Sequence, residues 1–214
     1  MVPDFKRPQP VDVDSIRIPE KEVLRRLGYP HDSLEQIDPG MRNIMEEAMQ
    51  LARGLFKPKG ICRFLRVASR ADQEMAFRES PFRIHSRQVT RMLENSDPVV
   101  FFMATLGPDF DRAVETLLQE GEVTRAFVLD AIGSETADAL ADELHRNRLG
   151  AAADRMGYAV TPRFSPGYGD WTITVQPDLA DLCGGRRIGI SVTPSCLMVP
   201  KKSVSAVLGW NRKE

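Results

Sequence analysis

Cysteine is scarce in this sequence of 214 residues, and the arrangement of the few cysteines excludes two kinds of cross-link. Cys62, Cys183 and Cys196 are odd in number, and none belongs to a Cys-x-x-Cys pair. A disulfide framework needs a dense, even set of cysteines, and a structural zinc site needs closely spaced ligands. We therefore expect reduced thiols and no metal site.

Long apolar runs and an excess of one charge are also missing. No segment approaches about 18 uninterrupted apolar residues, and the start, Met-Val-Pro-Asp-Phe-Lys-Arg, lacks the apolar run of a signal peptide. The 29 basic and 30 acidic residues give a formal net charge of −1. Without a basic field, a protein has no general attraction to nucleic acid or to anionic membrane. We expect a cytoplasmic protein whose partners, neither nucleic acid nor membrane, are recognised locally.

The composition itself is that of an ordinary globular chain, with 42% hydrophobic and 28% charged residues. Residues 1–15 are polar and carry three prolines, which predicts an extended N-terminal arm. Residues 16–214 are expected to form one domain. A small N-terminal helical lobe over 16–60 is the alternative.

The hydrophobic pattern predicts an α+β fold, with a mainly antiparallel twisted sheet and flanking helices. Strands are expected over 99–107, 158–161, 188–192 and 203–210, without regular alternation of strands and helices. The continuous apolar run at 99–107 is typical of a strand buried on both faces. We expect 188–192 and 203–210 to pair as a hairpin. Helices are predicted over 20–27, 41–54, 86–95, 109–120, 122–148 and 177–183.

One acidic residue, Asp130, stands out in the helix predicted over 122–148, because it falls on the apolar stripe of that helix. The stripe consists of Val123, Ala126, Phe127, Ala137, Leu140, Ala141 and Leu144. An unpaired buried carboxylate costs several kcal/mol, so Asp130 needs a partner. A ligand ammonium, a ribose diol or an arginine would serve, and the structural alternatives are an internal salt bridge or a helix rotated by about 100°. Glu135, which aligns with Asp138 and Asp142, is expected in solvent. His145, near the helix end, is expected to be solvated or to complement the helix dipole.

A loop over 163–171, Arg-Phe-Ser-Pro-Gly-Tyr-Gly-Asp-Trp, combines a cation, a rigid turn and two aromatic rings. Arg163 offers a planar fork of donors that fits a carboxylate. Gly167 and Gly169 allow backbone conformations in which a ligand can approach the main chain. Tyr168 and Trp171 offer flat faces for stacking. The loop predicts either a site for a small zwitterionic or nucleotide-like ligand, or an ordinary Pro-Gly turn with an aromatic plug.

Two segments resemble a known family. Arg163-Phe-Ser-Pro-Gly-Tyr168 resembles the Arg-x-x-x-Gly-Tyr loop with which the activation domain of cobalamin-dependent methionine synthase holds S-adenosylmethionine. Residues 198–206, Met-Val-Pro-Lys-Lys-Ser-Val-Ser-Ala, resemble that family's Met-x-Pro-x-x-Ser-Val-Ser-Gly/Ala segment. The resemblance spans roughly residues 15–210 and is most specific in the last fifty. The length is similar to that of free-standing members.

The resemblance implies a binding site without a catalytic base. Its site residues would be Asp130, Arg163, Ser165, Gly167, Tyr168, Ser203 and Ser205. Arg163 would take the ligand carboxylate, Ser165 and Gly167 would make main-chain contacts, and Tyr168 would form an aromatic wall. The sulfonium already activates the methyl group, so the task of the protein is to position it. Strand serines such as Ser203 and Ser205 otherwise only satisfy the neighbouring backbone.

In the family, as the resemblance implies, this domain brings S-adenosylmethionine to cob(II)alamin, which is restored by methyl transfer together with reduction by flavodoxin. The present sequence lacks an Asp-x-His-x-x-Gly cobalamin motif and a zinc-cysteine site, so we do not expect a complete methionine synthase. Cobalamin would come only with a partner, a corrinoid protein or other methionine synthase modules, served by flavodoxin or another reductant.

The alternative is a non-catalytic module that binds a corrinoid protein or is structural, keeping the fold without S-adenosylmethionine binding. Pro194, where family members commonly have an acidic residue, favours this reading. So does the end of the sequence soon after Trp210, before the family's later aromatic contact and C-terminal helices. The intact loop favours ligand binding. An ordinary doubly wound methyltransferase is disfavoured, because no Gly-rich loop follows an early strand.

Overall fold

The apolar run that follows Pro98 forms the central strand of the molecule, β6 (Val99–Thr105), in a computed structural model that describes residues 3–11, 13, 16–29 and 37–213. Every residue of β6 is buried, as the continuous apolar run predicted. Its side chains alternate between two hydrophobic cores, so that Val100 and Phe102 enter one while Phe101 and Met103 enter the other. The strand is therefore covered on both faces.

The other elements surround β6 in the following order. The remaining strands are β1 (Gln9–Val11), β2 (Lys59–Leu65), β3 (Val67–Arg70), β4 (Glu74–Phe77), β5 (Arg83–His85), β7 (Tyr158–Val160), β8 (Ser191–Val192), β9 (Met198–Val199) and β10 (Ser203–Arg212). The α-helices are α1 (Glu20–Arg26), α2 (Pro39–Leu55), α3 (Arg87–Met92), α4 (Asp109–Gln119), α5 (Val123–Asp142), α6 (Ala151–Arg155) and α7 (Gln176–Cys183). A π-helical segment (Glu143–Gly150) joins α5 to α6.

The main sheet has the strand order β1-β2-β6-β10-β7, and each neighbouring pair is antiparallel. This confirms the predicted α+β fold with an antiparallel sheet. Strand β1 lies in the predicted N-terminal arm and pairs with β2, so the described part of the arm extends the sheet. Three-stranded (β3-β4-β5) and two-stranded (β8-β9) sheets accompany the main one.

The predicted hairpin between 188–192 and 203–210 is wrong. Residues 185–188 form a short 3₁₀ helix and Gly189 has a φ of +86°, so only Ser191 and Val192 remain extended. These two residues pair with β9 rather than with β10. Strand β10 instead lies between β6 and β7, with Ser203 opposite Thr105 and Gly209 opposite Val99.

Helices α1, α2, α4 and α5 cover one face of the main sheet, and the β3-β4-β5 sheet with α3 and α7 covers the other. Val23 and Leu24 of α1 are fully buried in the same core as Phe64 of β2 and Trp210 of β10. The α1 segment is thus held against the sheet by its own apolar side. No helix among the described residues is both long and apolar enough to cross a membrane.

Helix α5 departs from the predicted single buried stripe. Val123 and Phe127 are 62% and 61% exposed, whereas Leu129, Ile132 and Glu135 are buried. The reason is that α1, α2, α4 and the sheet all contact α5, so the middle of the helix is enclosed on several sides and its first turn is not. A rule that assumes one buried face does not apply to such a helix.

His145, expected either in solvent or as a residue that complements the helix dipole, is buried in the π-helical segment. Its Nε2 atom lies 2.8 Å from the carbonyl oxygen of Thr161, just before the Arg163 loop. The helix therefore continues past α5, as predicted, and its His145 holds Thr161, two residues before Arg163.

Candidate functional site

A cleft of about 890 Å³ opens between α1, the second half of α5, the loop that follows β7 and the start of β10. This volume is within the range of pockets that hold cofactors and other small ligands. Five of the seven predicted site residues line it, namely Arg163, Ser165, Tyr168, Ser203 and Ser205. Gly167 lies in the same loop but is not part of the lining, and Asp130 is not part of it either.

The 163–171 loop is fixed to the sheet at its beginning and to the second core at its end. Phe164 exchanges two backbone hydrogen bonds with Val207 of β10, at 2.9 and 2.8 Å. Gly167, with a φ of +91°, donates to the carbonyl of Trp171 at 2.7 Å and closes the turn. Trp171 is fully buried and therefore serves as the aromatic plug rather than as a stacking face. Tyr168 is 70% exposed at the cleft, so its ring can contact a ligand.

Asp170 ties the same loop to α3. It accepts hydrogen bonds from Ser86 Oγ and from the backbone N–H of Arg87, the latter at 2.8 Å. The bond from Ser86, followed by those from the backbone of Arg87 and Gln88, holds the pKa of Asp170 below its ordinary value of 3.8. The Asp170 carboxylate thus holds the loop against the start of α3.

Arg163 is oriented by two carboxylates of α5. Its Nε donates to Asp142 Oδ1 at 3.1 Å, and its Nη2 donates to Asp138 Oδ1 at 3.3 Å. The two acidic side chains are about half exposed and line the cleft. An arginine fork carries five N–H donors, so this one can still donate to a ligand while the two carboxylates hold it in place.

An acidic face that was expected in solvent borders the cleft. Glu135, Asp138 and Asp142 of α5 all line it, together with Glu22 of α1. Glu135 is buried and lies 2.5 Å from Arg26 Nε, so α1 covers it. The signal in the sequence was the i, i+3, i+7 spacing, which places three carboxylates on one side of a helix. That spacing does not reveal what packs against the side.

Asp130 has an internal partner. Lys202 Nζ donates to Asp130 Oδ1 at 2.7 Å and to Ser134 Oγ at 2.8 Å. The Lys202 side chain is only 7% exposed, whereas that of Asp130 is 48% exposed. The structural alternative, an internal salt bridge, is therefore the arrangement found. Eight residues separate Asp130 from Asp138, about 12 Å along a helix axis.

Ser203 and Ser205 lie on one face of β10, as their spacing predicted, and both are buried. Ser203 Oγ donates to the carbonyl oxygen of Pro200 at 2.7 Å and lies 2.9 Å from Thr105 Oγ1. Ser205 Oγ donates to Gln176 Oε1 at 2.9 Å. Gln176 also lines the cleft, and no motif in the sequence indicated it.

Comparison with known proteins identifies the fold of the chain. No protein-family model and no curated protein matches the sequence. Among solved structures, the crystal structure of the MetH reactivation domain bound to AdoHcy matches with a TM-score of 0.75 over 99% of this chain and 81% of that chain. The chain has the fold of the MetH reactivation domain. At 15% sequence identity, the likeness shows the fold and no more.

Within the MetH reactivation fold, the residue that departs from the family pattern lies away from the cleft lining. Pro194 is exposed in the β8-β9 turn, where the Thr193 N–H donates to the Leu197 carbonyl at 2.8 Å.

The thiols give the cleft no nucleophile. None of the three cysteines lines the cleft or forms a disulfide, and burial raises the pKa of Cys62 to about 12 and that of Cys183 as well. Among the described residues, no group of three or more His, Cys, Asp or Glu side chains could hold a metal ion. What the cleft offers is charge, hydrogen bonds and an aromatic face.

Proposed function

We propose that the cleft binds S-adenosylmethionine and that the chain serves as a reactivation module for a separate corrinoid protein. The observation that carries the proposal is the Arg163 loop, whose Arg, Ser and Tyr side chains line one cleft with Ser203 and Ser205. The fold adds support, because the solved reactivation domain with this fold holds AdoHcy, the product left when S-adenosylmethionine loses its methyl group.

The charges of the cleft suit the two ends of such a ligand. Asp138 and Asp142 can face its ammonium and sulfonium, while the remaining N–H groups of Arg163 take its carboxylate. Tyr168 offers a face for the adenine ring. No general base is needed, because the sulfonium has already activated the methyl group. The contribution of the protein is to hold that group in one position.

Cobalamin would belong to the partner protein, as would the docking site for flavodoxin or another reductant. The corrinoid cobalt would supply the acceptor for the methyl group. For this chain we propose only that it presents S-adenosylmethionine at the mouth of the cleft.

A second function is favoured by one observation. The Arg163 fork already bonds two carboxylates, so a ligand carboxylate meets an arginine whose charge is partly neutralised. A module that binds a corrinoid protein without S-adenosylmethionine would keep this network as a purely structural one.

Calorimetric titration of the whole chain with S-adenosylmethionine and S-adenosylhomocysteine separates the two functions. We expect the wild type to bind both ligands and Arg163→Ala to bind about 30-fold or more weakly, because a charged hydrogen-bonded pair is lost in a partly desolvated site. The exposed Arg155 is the matched control, and Arg155→Ala should bind as the wild type does.

Thermal melts of the same variants complete the test. A wild type that binds neither ligand at millimolar concentration would contradict S-adenosylmethionine binding and favour the second function. Equal affinities of wild type and Arg163→Ala would remove Arg163 from the site. A collapse of the melting temperature of Arg163→Ala would make its role structural.

A further inference from the structure

Gln176, the first residue of α7, has a side-chain nitrogen in the cleft wall that is buried without a hydrogen-bond partner among the described residues. It is 1% exposed and lines the cleft. Its Oε1 atom accepts from Ser205 Oγ at 2.9 Å, but its Nε2 atom is buried without a hydrogen-bond partner among the described residues. Folded proteins seldom leave a buried N–H donor without an acceptor, so an acceptor from outside the described chain would explain this one.

Gln176 lies on the uncharged side of the cleft. The charged residues of the cleft come from α1, α5 and Arg163, whereas the lining from α7, β9 and β10 is uncharged. Ser203, Ser205 and Gln176 form the polar part of this uncharged wall. A ligand with a charged amino-acid end and a neutral nucleoside end would place the nucleoside on this side.

The backbone of β10 adds hydrogen-bonding groups next to Gln176. Val207 exchanges both of its backbone bonds with Phe164, so its polar groups point away from β6. Ser205, two residues earlier, points its N–H and C=O to the same side. Pro166, which the register puts opposite Ser205, has no N–H to donate, and no backbone partner on that side bonds Ser205 within the described chain. The strand edge therefore faces the cleft beside the Gln176 amide.

Resting on the proposed function, we propose that Gln176 is a specificity residue that donates from Nε2 to an acceptor of the bound nucleoside, a ring nitrogen or a ribose oxygen. The bond from Ser205 holds the amide oxygen, so the nitrogen is the end left for the ligand. Nε2 is buried in the cleft wall, so a small turn of the amide on binding would bring it to the acceptor. Gln176 thereby selects the nucleoside half of the ligand, while Arg163 and the α5 carboxylates select the other half.

Titrations with S-adenosylhomocysteine test the proposal on the whole chain. Gln176→Leu removes the donor and should weaken binding about tenfold, and Gln176→Glu should weaken it further because a carboxylate would face the acceptor. Gln119→Leu, at the exposed end of α4, is the matched control and should bind as the wild type does.

Ligand analogues identify the acceptor. The series consists of S-adenosylhomocysteine analogues in which N1, N3 or N7 is replaced by CH, or in which the 2′- or the 3′-hydroxyl is missing. One of these analogues should bind the wild type about tenfold more weakly than S-adenosylhomocysteine does, and should bind Gln176→Leu with no such loss. A series in which each compound loses the same factor for both proteins would overturn the proposal.

The outcomes separate this inference from the proposed function. If the wild type binds and both Gln176 variants bind as tightly as the wild type, the inference alone is overturned. If the wild type binds neither ligand, the inference and the proposed function are both overturned. If the variants fail to fold, the side-chain amide signal of Gln176 in the ¹⁵N-labelled wild type decides. It should shift when ligand is added. An unmoved Gln176 signal beside shifting signals of other cleft residues would overturn the inference.

Discussion

At the scale of single residues, the carboxylates of α5 have different structural roles. Asp138 and Asp142 orient Arg163 at the cleft, whereas Asp130, two turns earlier, neutralises Lys202. A buried ammonium without a counter-charge is costly, so Lys202 makes Asp130 necessary to the fold whatever binds in the cleft. The two kinds of carboxylate are distinguished by their partners and not by their exposure.

Asp130→Ala should therefore lower stability without lowering ligand affinity. It leaves the Lys202 ammonium, whose side chain is 7% exposed, with Ser134 as its one hydrogen-bond acceptor among the described residues. The change should cost about 1–3 kcal/mol of unfolding free energy, because Asp130 itself is half exposed. Urea denaturation measures the loss, and titration with S-adenosylhomocysteine should give an affinity within about twofold of the wild type.

The double variant Asp130→Ala/Lys202→Met is the control for Asp130→Ala, since it removes the stranded charge and should regain part of the stability. An Asp130→Ala protein with wild-type stability and a large loss of affinity would instead place Asp130 in the ligand site.

At the scale of elements, the 163–171 loop is a rigid connection. Val207 pairs with its beginning, Trp171 fills the second core at its end, and Asp170 accepts hydrogen bonds at the start of α3. Within this framework Tyr168 and its neighbouring glycines are exposed to solvent, as is Asp170. A loop held in this way can present Arg163 and Tyr168 to a ligand with little loss of conformational entropy on binding.

The anchor at Asp170 should be sensitive to pH. Because its pKa is lowered in the folded chain, its contribution to stability is present above the ordinary carboxyl pKa of 3.8 and is lost as the pH falls through the lower, folded value. Asp170→Asn should be less stable than the wild type near neutral pH, and the difference should shrink below about pH 4. Thermal melts of both proteins between neutral and acid pH measure it.

The difference between the two proteins, and not the wild-type curve alone, carries that test, because other carboxylates such as Glu79 and Asp109 also have lowered pKa values. A difference that stays constant down to acid pH would show that Asp170 acts through its shape and not through its charge.

At the scale of the whole molecule, a nearly neutral chain carries a locally acidic cleft. The net charge is −1, yet the cleft is lined by four carboxylates and two guanidinium groups. The carboxylates belong to Glu22, Glu135, Asp138 and Asp142, and the guanidinium groups to Arg25 and Arg163. The local excess of negative charge favours a ligand that carries a net positive charge.

This field should favour S-adenosylmethionine, which carries one net positive charge, over the neutral S-adenosylhomocysteine. We expect the affinity ratio to be about 3- to 10-fold in low salt, as one extra charge near a partly exposed acidic face would give. Raising the salt from about 50 mM to about 500 mM should bring the ratio toward one, because screening weakens the field. Calorimetry with both ligands measures it.

Asp138→Asn is a variant that should reduce this ratio while changing the affinity for S-adenosylhomocysteine less. A ratio that does not respond to salt or to Asp138→Asn would show that the cleft discriminates by shape at the sulfur and not by charge.

Much of the fold followed from the sequence alone because it depends on local and nearest-neighbour patterns. The apolar run of β6, the Pro-Gly turn before Tyr168 and the helix predicted over 177–183 each depend on a short segment, and the structure has each of them. The position of Ser203 and Ser205 on one face likewise follows from the two-residue period of a strand. The two motifs drew attention to the loop and to the start of β10, which the structure brings to one cleft.

Only the tertiary structure decided which partners the polar residues have. Glu135 is buried because α1 packs against α5, and Asp130 is paired because the bend before β10 places Lys202 beside it. Both contacts join residues far apart in the chain. Gln176 faces Ser205 for the same reason. Helical periodicity gives the direction of a side chain from its own axis but not what packs there, so the local pattern determined the elements and long-range packing determined the site.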